Sequence, residues 1–306
     1  MKLGITYLLT IMKYGYPPKP GDDFKAFREM RDMGFRFLEM EGLGRAHAAT
    51  VREHASEYKK ALADNDIHVH NFCVVDPDLT SLDYAKQDEA LEHFKVMAEI
   101  GCEFGCETLH LASYAPPVEY VGRAPYVLDG GKYEFVNKTS LHIPDGFSWE
   151  RVWDSVVRST RAIAEHAQSL GKIVLMEPRV GEVICSVDSM IRLIQDVNVP
   201  SLKANFDVGH FSAQREDVNL ALMKLEGQYA NIHITDNDPA TPDHLPLGEG
   251  SIDFDEFFRL LMLQNYDGYL GIDIGGKDEQ ELTRGILKCR DYVKAMSEKM
   301  GFALEY

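Results

Sequence analysis

Four short apolar runs in the second half of the chain each end in a side chain able to bind a metal. They are Ile173-Val174-Leu175-Met176 before Glu177, residues 202–206 before Asp207, Ala230-Asn231-Ile232 before His233, and residues 269–272 before Asp273. The stretch after each end has room for one loop and one helix, which is the cadence of repeated βα units. Parallel strands of one sheet or barrel present their C-terminal ends on one face, so four such ends converge. One buried Asp or His is ordinarily a hydrogen-bonded core group. Four in register at consecutive strand ends point to a site.

The first half keeps the same rhythm. Residues 2–9 read as a strand buried on both faces, and Pro17-Pro18-Lys19-Pro20-Gly21 as a turn before a helix closed by Gly34. Residues 35–40 form a second strand ending at Glu41, followed by a helix over 46–64, a third strand over 67–72 and a helix over 82–100 closed by Gly101. Residues 108–112 are the fourth strand. The rhythm then breaks at a Tyr-, Pro- and Gly-rich connection over 113–148, a length that in a compact domain usually carries function or disorder. The next helix is capped by Ser148 and runs to Leu170, and later helices are expected over 187–196, 217–226, 253–263 and 278–299. Eight strands, each followed by a helix, indicate an α/β fold of the (β/α)8 TIM-barrel type with its site at the C-terminal strand ends. A doubly wound sheet would want a glycine-rich phosphate loop after its first strand, and residues 9–22 contain no G-x-G-x-x-G. No linker or composition shift divides the 306 residues, so one domain over 1–306 with an insertion at 113–148 is expected.

The formal charge of −17 disfavours nucleic acid and anionic membranes as partners. No apolar run approaches the ~20 residues of a membrane span. The five cysteines are odd in number and irregularly spaced, which argues against a disulfide framework, so reduced thiols in a cytoplasmic protein are expected.

Three carboxylates and one imidazole form a hard, oxygen-rich ligand set. Glu177, Asp207, His233 and Asp273 therefore suit one Mn2+, Mg2+ or Co2+ ion better than structural zinc. An ion with open positions polarises a substrate carbonyl, and a neighbouring carboxylate removes the acidified proton; Glu177 and Asp273 are candidates for that double duty. His210 follows Asp207 through Gly209, which suggests a tight turn returning the imidazole to the site. Arg179 is placed to bind an acidic group or pair with an acid. His110 ends strand four, and His68 and His70 share one side of strand three; each is a candidate for the barrel mouth or for a hydrogen-bonded core position. Asp236 reads as a loop carboxylate, substrate contact being the less favoured alternative.

Together, Leu175-Met176-Glu177-Pro178, Asn205-Phe206-Asp207-Val208-Gly209-His210, Asn231-Ile232-His233-Ile234-Thr235-Asp236-Asn237, Pro246-Leu247-Gly248-Glu249-Gly250-Ser251-Ile252-Asp253 and Gly268-Tyr269-Leu270-Gly271-Ile272-Asp273 resemble the xylose-isomerase-like sugar isomerase/epimerase superfamily. The resemblance implies Mn2+ as the ion, held by Glu177, Asp207, His233 and Asp273, and a substrate contact from His210. The sequence departs at Asp273, where the superfamily usually has Glu. The implied activity is isomerisation or epimerisation of a sugar or keto-sugar by proton abstraction next to a carbonyl. The alternative is the branch of C-glycoside deglycosidase catalytic subunits, lyases that cleave 3-oxo-C-glycosides by elimination, with His142 as a second acid/base. There, Tyr114, Tyr120, Tyr126, Tyr133 and Phe135 of the 113–148 connection would cover a larger substrate or contact a partner chain. A non-catalytic barrel for binding or assembly is the weaker reading, because the ligand set is intact. The expected partners are a small sugar or glycoside and further copies of the chain in an oligomer, with a second kind of subunit left open.

Overall fold

Near-continuous apolar strands can be buried on both faces only when helices cover them outside and side chains fill the space within. The computed structural model describes residues 1–19, 21–121, 126–129, 132–135, 140–238 and 243–306, with 126–129 and 132–135 as backbone only. The first strands are β1 (Lys2–Ile5), β2 (Phe37–Leu43), β3 (His68–Val75) and β4 (Thr108–Ala112). The long connection then carries β5 (Glu119–Val121), β6 (Tyr126–Asp129), β7 (Lys132–Phe135) and β8 (Ser140–His142). The last four strands are β9 (Ile173–Glu177), β10 (Leu202–Asp207), β11 (Tyr229–Ile234) and β12 (Tyr269–Ile272). Eight of the twelve close a barrel in the order β1-β12-β11-β10-β9-β4-β3-β2, all parallel. The connection after β4 is two antiparallel ladders, β5 with β8 and β6 with β7.

Two register shifts shape the interior. One lies between Leu38 and Glu39 where β2 meets β3, the other between Ala204 and Asn205 where β10 meets β11. A bulge re-aims the side chains that follow it, and here those are Glu39 and Asn205, both buried. Asn71 and Asn231, opposite them in register, are buried too.

Several expected elements are corrected. The apolar run from residue 2 is a strand only to Ile5; Leu8–Tyr14 is a helix burying Leu8, Leu9 and Ile11, since a short apolar run does not by itself separate strand from helix. The expected helix over 46–64 is two, Gly44–Glu53 and Ala55–Asp64. The break at His54 lets Tyr58 reach Asp23, to which its hydroxyl donates a hydrogen bond. Gly209 does not make a turn. It lies inside the helix Val208–Ala213, where a Cβ would stand 2.5 Å from Thr235 Cγ2, so glycine is needed for close approach. His68 and His70 lie away from the mouth. His68 opens β3 and pairs with Glu107, and the His70 ring stacks on Tyr269, the first residue of β12. No helix among the described residues is long and apolar enough to cross a membrane.

Asp236 organises the loop after β11. Its carboxylate accepts hydrogen bonds from the backbone N–H of Asn237, Gly248, Gly250 and Ile252 at 2.9–3.2 Å. Gly250 permits this, because a Cβ there would lie 2.3 Å from Asp236 Oδ1. Asp236→Ala should therefore lower unfolding stability by about 1–3 kcal/mol, the cost of stranding buried donors. Urea denaturation followed by circular dichroism checks this, and an unchanged midpoint would contradict it.

Candidate functional site

A cavity of about 290 Å³ opens at the C-terminal ends of the barrel strands, where the strand-end side chains converge. Of its lining, Glu177, Arg179, His210, His233 and Asp273 come from β9 to β12 and the segments that follow them, and Glu39, Glu41, Cys73 and Val75 from β2 and β3, with Tyr16 and His110 also lining the space.

Glu177 and Asp207 are the last residues of β9 and β10, and Asp207 is in register with His233 of β11. His233 Nδ1 is 2.8 Å from Glu177 Oε1 and 3.4 Å from Asp207 Oδ2. Gly271, opposite His233 in β12, leaves room for the ring: a Cβ there would come within 3.3 Å of His233 Cδ2. Ligand atoms of Glu177, Asp207 and His233 all lie within 4.8 Å of one another. Asp207 is fully buried, and its Oδ2 makes no hydrogen bond among the described residues beyond the 3.4 Å approach of His233 Nδ1. A buried carboxylate oxygen left over beside a second carboxylate and an imidazole fits a divalent cation, which would supply the missing interaction.

The other edge of His233 explains its orientation. Its Nε2 is 3.0 Å from Glu39 Oε2, and His110 Nδ1 is 3.3 Å from Glu39 Oε1. Asn71 Nδ2 donates to Glu39 at 2.5 Å, so this buried carboxylate is saturated by protein groups. A metal-binding imidazole typically gives its remote N–H to a carboxylate in this way, which fixes ring and tautomer. Burial works against charge on all three groups, but the mutual attraction wins. Glu39 is held well below the ordinary carboxylate range by His233 and His110, and His233 is raised well above its usual value, by Glu39 before Asp207 and Glu177. Asn205 Nδ2 holds Glu177 Oε1 at 2.8 Å, and Asn231 Nδ2 in turn holds Asn205.

Asp273 stands apart from the close group of Glu177, Asp207 and His233. Its Oδ1 accepts from Thr6 Oγ1 at 2.7 Å and its Oδ2 pairs with His244 Nδ1 at 3.0 Å. His244 is pushed up to about 9, against the effect of burial, by that carboxylate. His110 lines the cavity with Nε2 3.8 Å from Glu177. His210 lines it as well; Asp207 Oδ1 accepts its backbone N–H, and burial lowers its imidazole to about 3, keeping it neutral. Arg179 bridges Glu177 and Glu182 at 3.5 Å each. His142 lies on exposed β8 and is not among the cavity-lining residues. Of the aromatics in the 113–148 connection, Tyr114 lines the cavity and its hydroxyl accepts from Asp76 N–H at 2.7 Å, while Tyr120 is half-buried. The side chains of Tyr126, Tyr133 and Phe135 lie outside the described residues.

Sequence reasoning missed Glu39, Glu41 and His244. Glu39 and Glu41 alternate in Phe37-Leu38-Glu39-Met40-Glu41, and two acids on one face of an apolar strand were a readable signal. His244 follows a proline-containing loop and carried none.

The family model described as xylose isomerase-like TIM barrel matches residues 27–292. The L-ribulose-5-phosphate 3-epimerase UlaE of Shigella boydii serotype 18 is 25% identical over 283 residues, covering 90% of this chain and 89% of the relative. Among solved structures, a D-tagatose 3-epimerase-like protein superposes with a TM-score of 0.73 at 17% identity, covering 98% of this chain and all of that one. The 3-keto-D-glucoside 4-epimerase YcjR of E. coli does so with a TM-score of 0.72 at 18% identity, over 96% and 99% of the two chains. At such identities the structural likeness speaks for the fold.

The His244–Asp273 pair predicts a pH dependence. His244 titrates near 6.5 when unfolded and at about 9 when folded, so the pair stabilises fully below pH 6.5 and its contribution is lost as pH rises through about 9. Chelator-treated protein should show a melting temperature that falls across this window, and Asp273→Asn should flatten that fall. Parallel curves for the two proteins would assign the dependence elsewhere.

Proposed function

Because the chain belongs to the xylose isomerase-like TIM barrel family, we propose that it is a divalent-metal-dependent sugar epimerase or isomerase that moves a proton at the carbon next to a carbonyl. The single observation that carries this reading is the buried group Glu177, Asp207 and His233, of which Glu177 and His233 line the cavity. The epimerase names of its relatives agree with it. Mn2+ is the preferred ion, with Mg2+ or Co2+ also suited to the donor set. A bound divalent ion would polarise a substrate carbonyl and make the adjacent C–H acidic.

The chain's own residues divide the remaining work. Glu177, held by Asn205 and kept ionised by His233 against the cost of burial, takes the proton. Glu39 orients His233 from behind. The neutral His210 donates or accepts at a substrate oxygen, and Arg179 lies beside Glu177 to hold a second one. Asp273 closes the far side as a carboxylate fixed by Thr6 and His244, and its own contact with the ion belongs to the same proposal. Elimination from a glycoside would require His142 to reach the reacting atoms; its exposed position outside the cavity makes proton transfer on a sugar the preferred chemistry.

Protein purified without chelator should carry about one Mn, Mg or Co ion per chain, and His233→Ala should lose most of it. Elemental analysis tests both statements; full metal retention by the variant would remove His233 from the ligand set. His210→Asn should keep its metal while kcat/KM on the preferred ketose falls by the equivalent of about 1–3 kcal/mol. Loss of metal from that variant would instead make His210 a ligand.

A further inference from the structure

Inverting a carbon through a planar intermediate needs two proton-handling groups, one on each face. Glu177 serves one face. Asp273, at the position where the superfamily has its second glutamate, has both carboxylate oxygens engaged, by Thr6 at 2.7 Å and by His244 at 3.0 Å. A carboxyl elsewhere in the cavity that carries no such bonds would be freer to move for this second role.

Glu41 meets the requirement. It sits on β2 in register with Cys73 of β3, and both line the cavity. In the closed strand order, β3 and β4 separate β2 from β9. Among the described residues its carboxyl makes no hydrogen bond and no ion pair, in contrast to Glu39, Glu177 and Glu182 around it. A largely buried but unbonded carboxyl facing a cavity can turn toward a ligand without breaking a protein hydrogen bond.

Resting on the epimerase reading above, we propose that Glu41 is the second acid/base, acting on the substrate face opposite Glu177. In one direction Glu177 takes the C–H proton and the bonding pair moves into an enediolate. Glu41 then gives its carboxyl proton to the opposite face of the same carbon, forming the new C–H bond and leaving Glu41 a carboxylate. Glu177, now protonated, and Glu41 return to their starting states by exchange with water. The starting state suits the role, since burial, and after it the charge of Glu39, pushes Glu41 up to about 8, so it begins as the acid.

The test is hydrogen exchange at the inverted carbon in D2O, followed by NMR on the metal-loaded enzyme. The 3-epimer pairs D-psicose/D-fructose and L-ribulose/L-xylulose, with the 5-phosphates of the latter pair, serve as probes. Wild type should exchange and invert both members of the pair it accepts. Glu41→Gln should lose inversion by about 10²-fold or more, the scale of one acid/base group, yet still exchange the epimer whose C–H faces Glu177 and fail to exchange the other. Glu41→Asp should recover part of the inversion and exchange both epimers, which also guards against a Gln variant that fails to fold. Inversion by Glu41→Gln within threefold of wild type overturns the proposal, as does equal loss of exchange in both epimers with metal content unchanged. If wild type itself exchanges none of the pairs, the epimerase reading fails and the role of Glu41 falls with it.

Discussion

Burying Glu39, Glu177 and Asp207 around a single imidazole is the constraint on which the rest of this structure depends. Each carboxylate loses its hydration, and removing one member of such a buried set typically costs about 3–5 kcal/mol because an uncompensated charge remains. His233 answers the cost by presenting one ring nitrogen to Glu177 and Asp207 and the other to Glu39. The imidazole is thereby held in one orientation. The same arrangement leaves one Asp207 oxygen without a hydrogen bond among the described residues.

The barrel supplies this cluster through local irregularity. Regular pleating would not bring Glu39, Asn71, Asn205 and Asn231 together beneath the cavity. The register shifts at Leu38/Glu39 and Ala204/Asn205 re-aim the strands there. The asparagines then form a short chain, Asn231 to Asn205 to Glu177, with Asn71 on Glu39. Each amide can donate to a carboxylate, which a charged residue in the same place could not do without adding to the net charge. Gly209 and Gly271 serve the same end by letting Thr235 and the His233 ring come close.

The two walls of the cavity are chemically unlike. On the wall of β9 to β12 the acidic groups are paired, held or oriented, as Asp273 is by Thr6 and His244 and Glu177 by Asn205 and His233. On the wall of β2 and β3, Glu41 is held by no hydrogen bond among the described residues and sits beside the thiol of Cys73. An ionised base and a neutral acid need such different surroundings, because hydrogen-bond donors favour the anion and burial without donors favours the proton.

The repeated βα cadence, the strand ends at Glu177, Asp207, His233 and Asp273, the cap at Ser148 and the superfamily were all legible in the residues themselves. Apolar periodicity, capping chemistry and strand-end position are local properties, and in a parallel barrel the topology turns them into convergence. What the sequence alone could not decide was how those groups divide their bonds. Asp273 follows directly on β12 much as Glu177 ends β9, yet it is engaged by His244, a residue from a loop with no periodic signal. Asp236, three residues past His233, bonds to four backbone amides of its own loop. The role of Glu39 depends on a bulge, and that of His142 on the pairing of β5 with β8, both set by partners distant in the chain. Sequence determined which polar groups stand at or next to the ends of the last four strands. Tertiary structure decided which are saturated and which remain free to act, because hydrogen-bond satisfaction belongs to neighbours that only folding brings together.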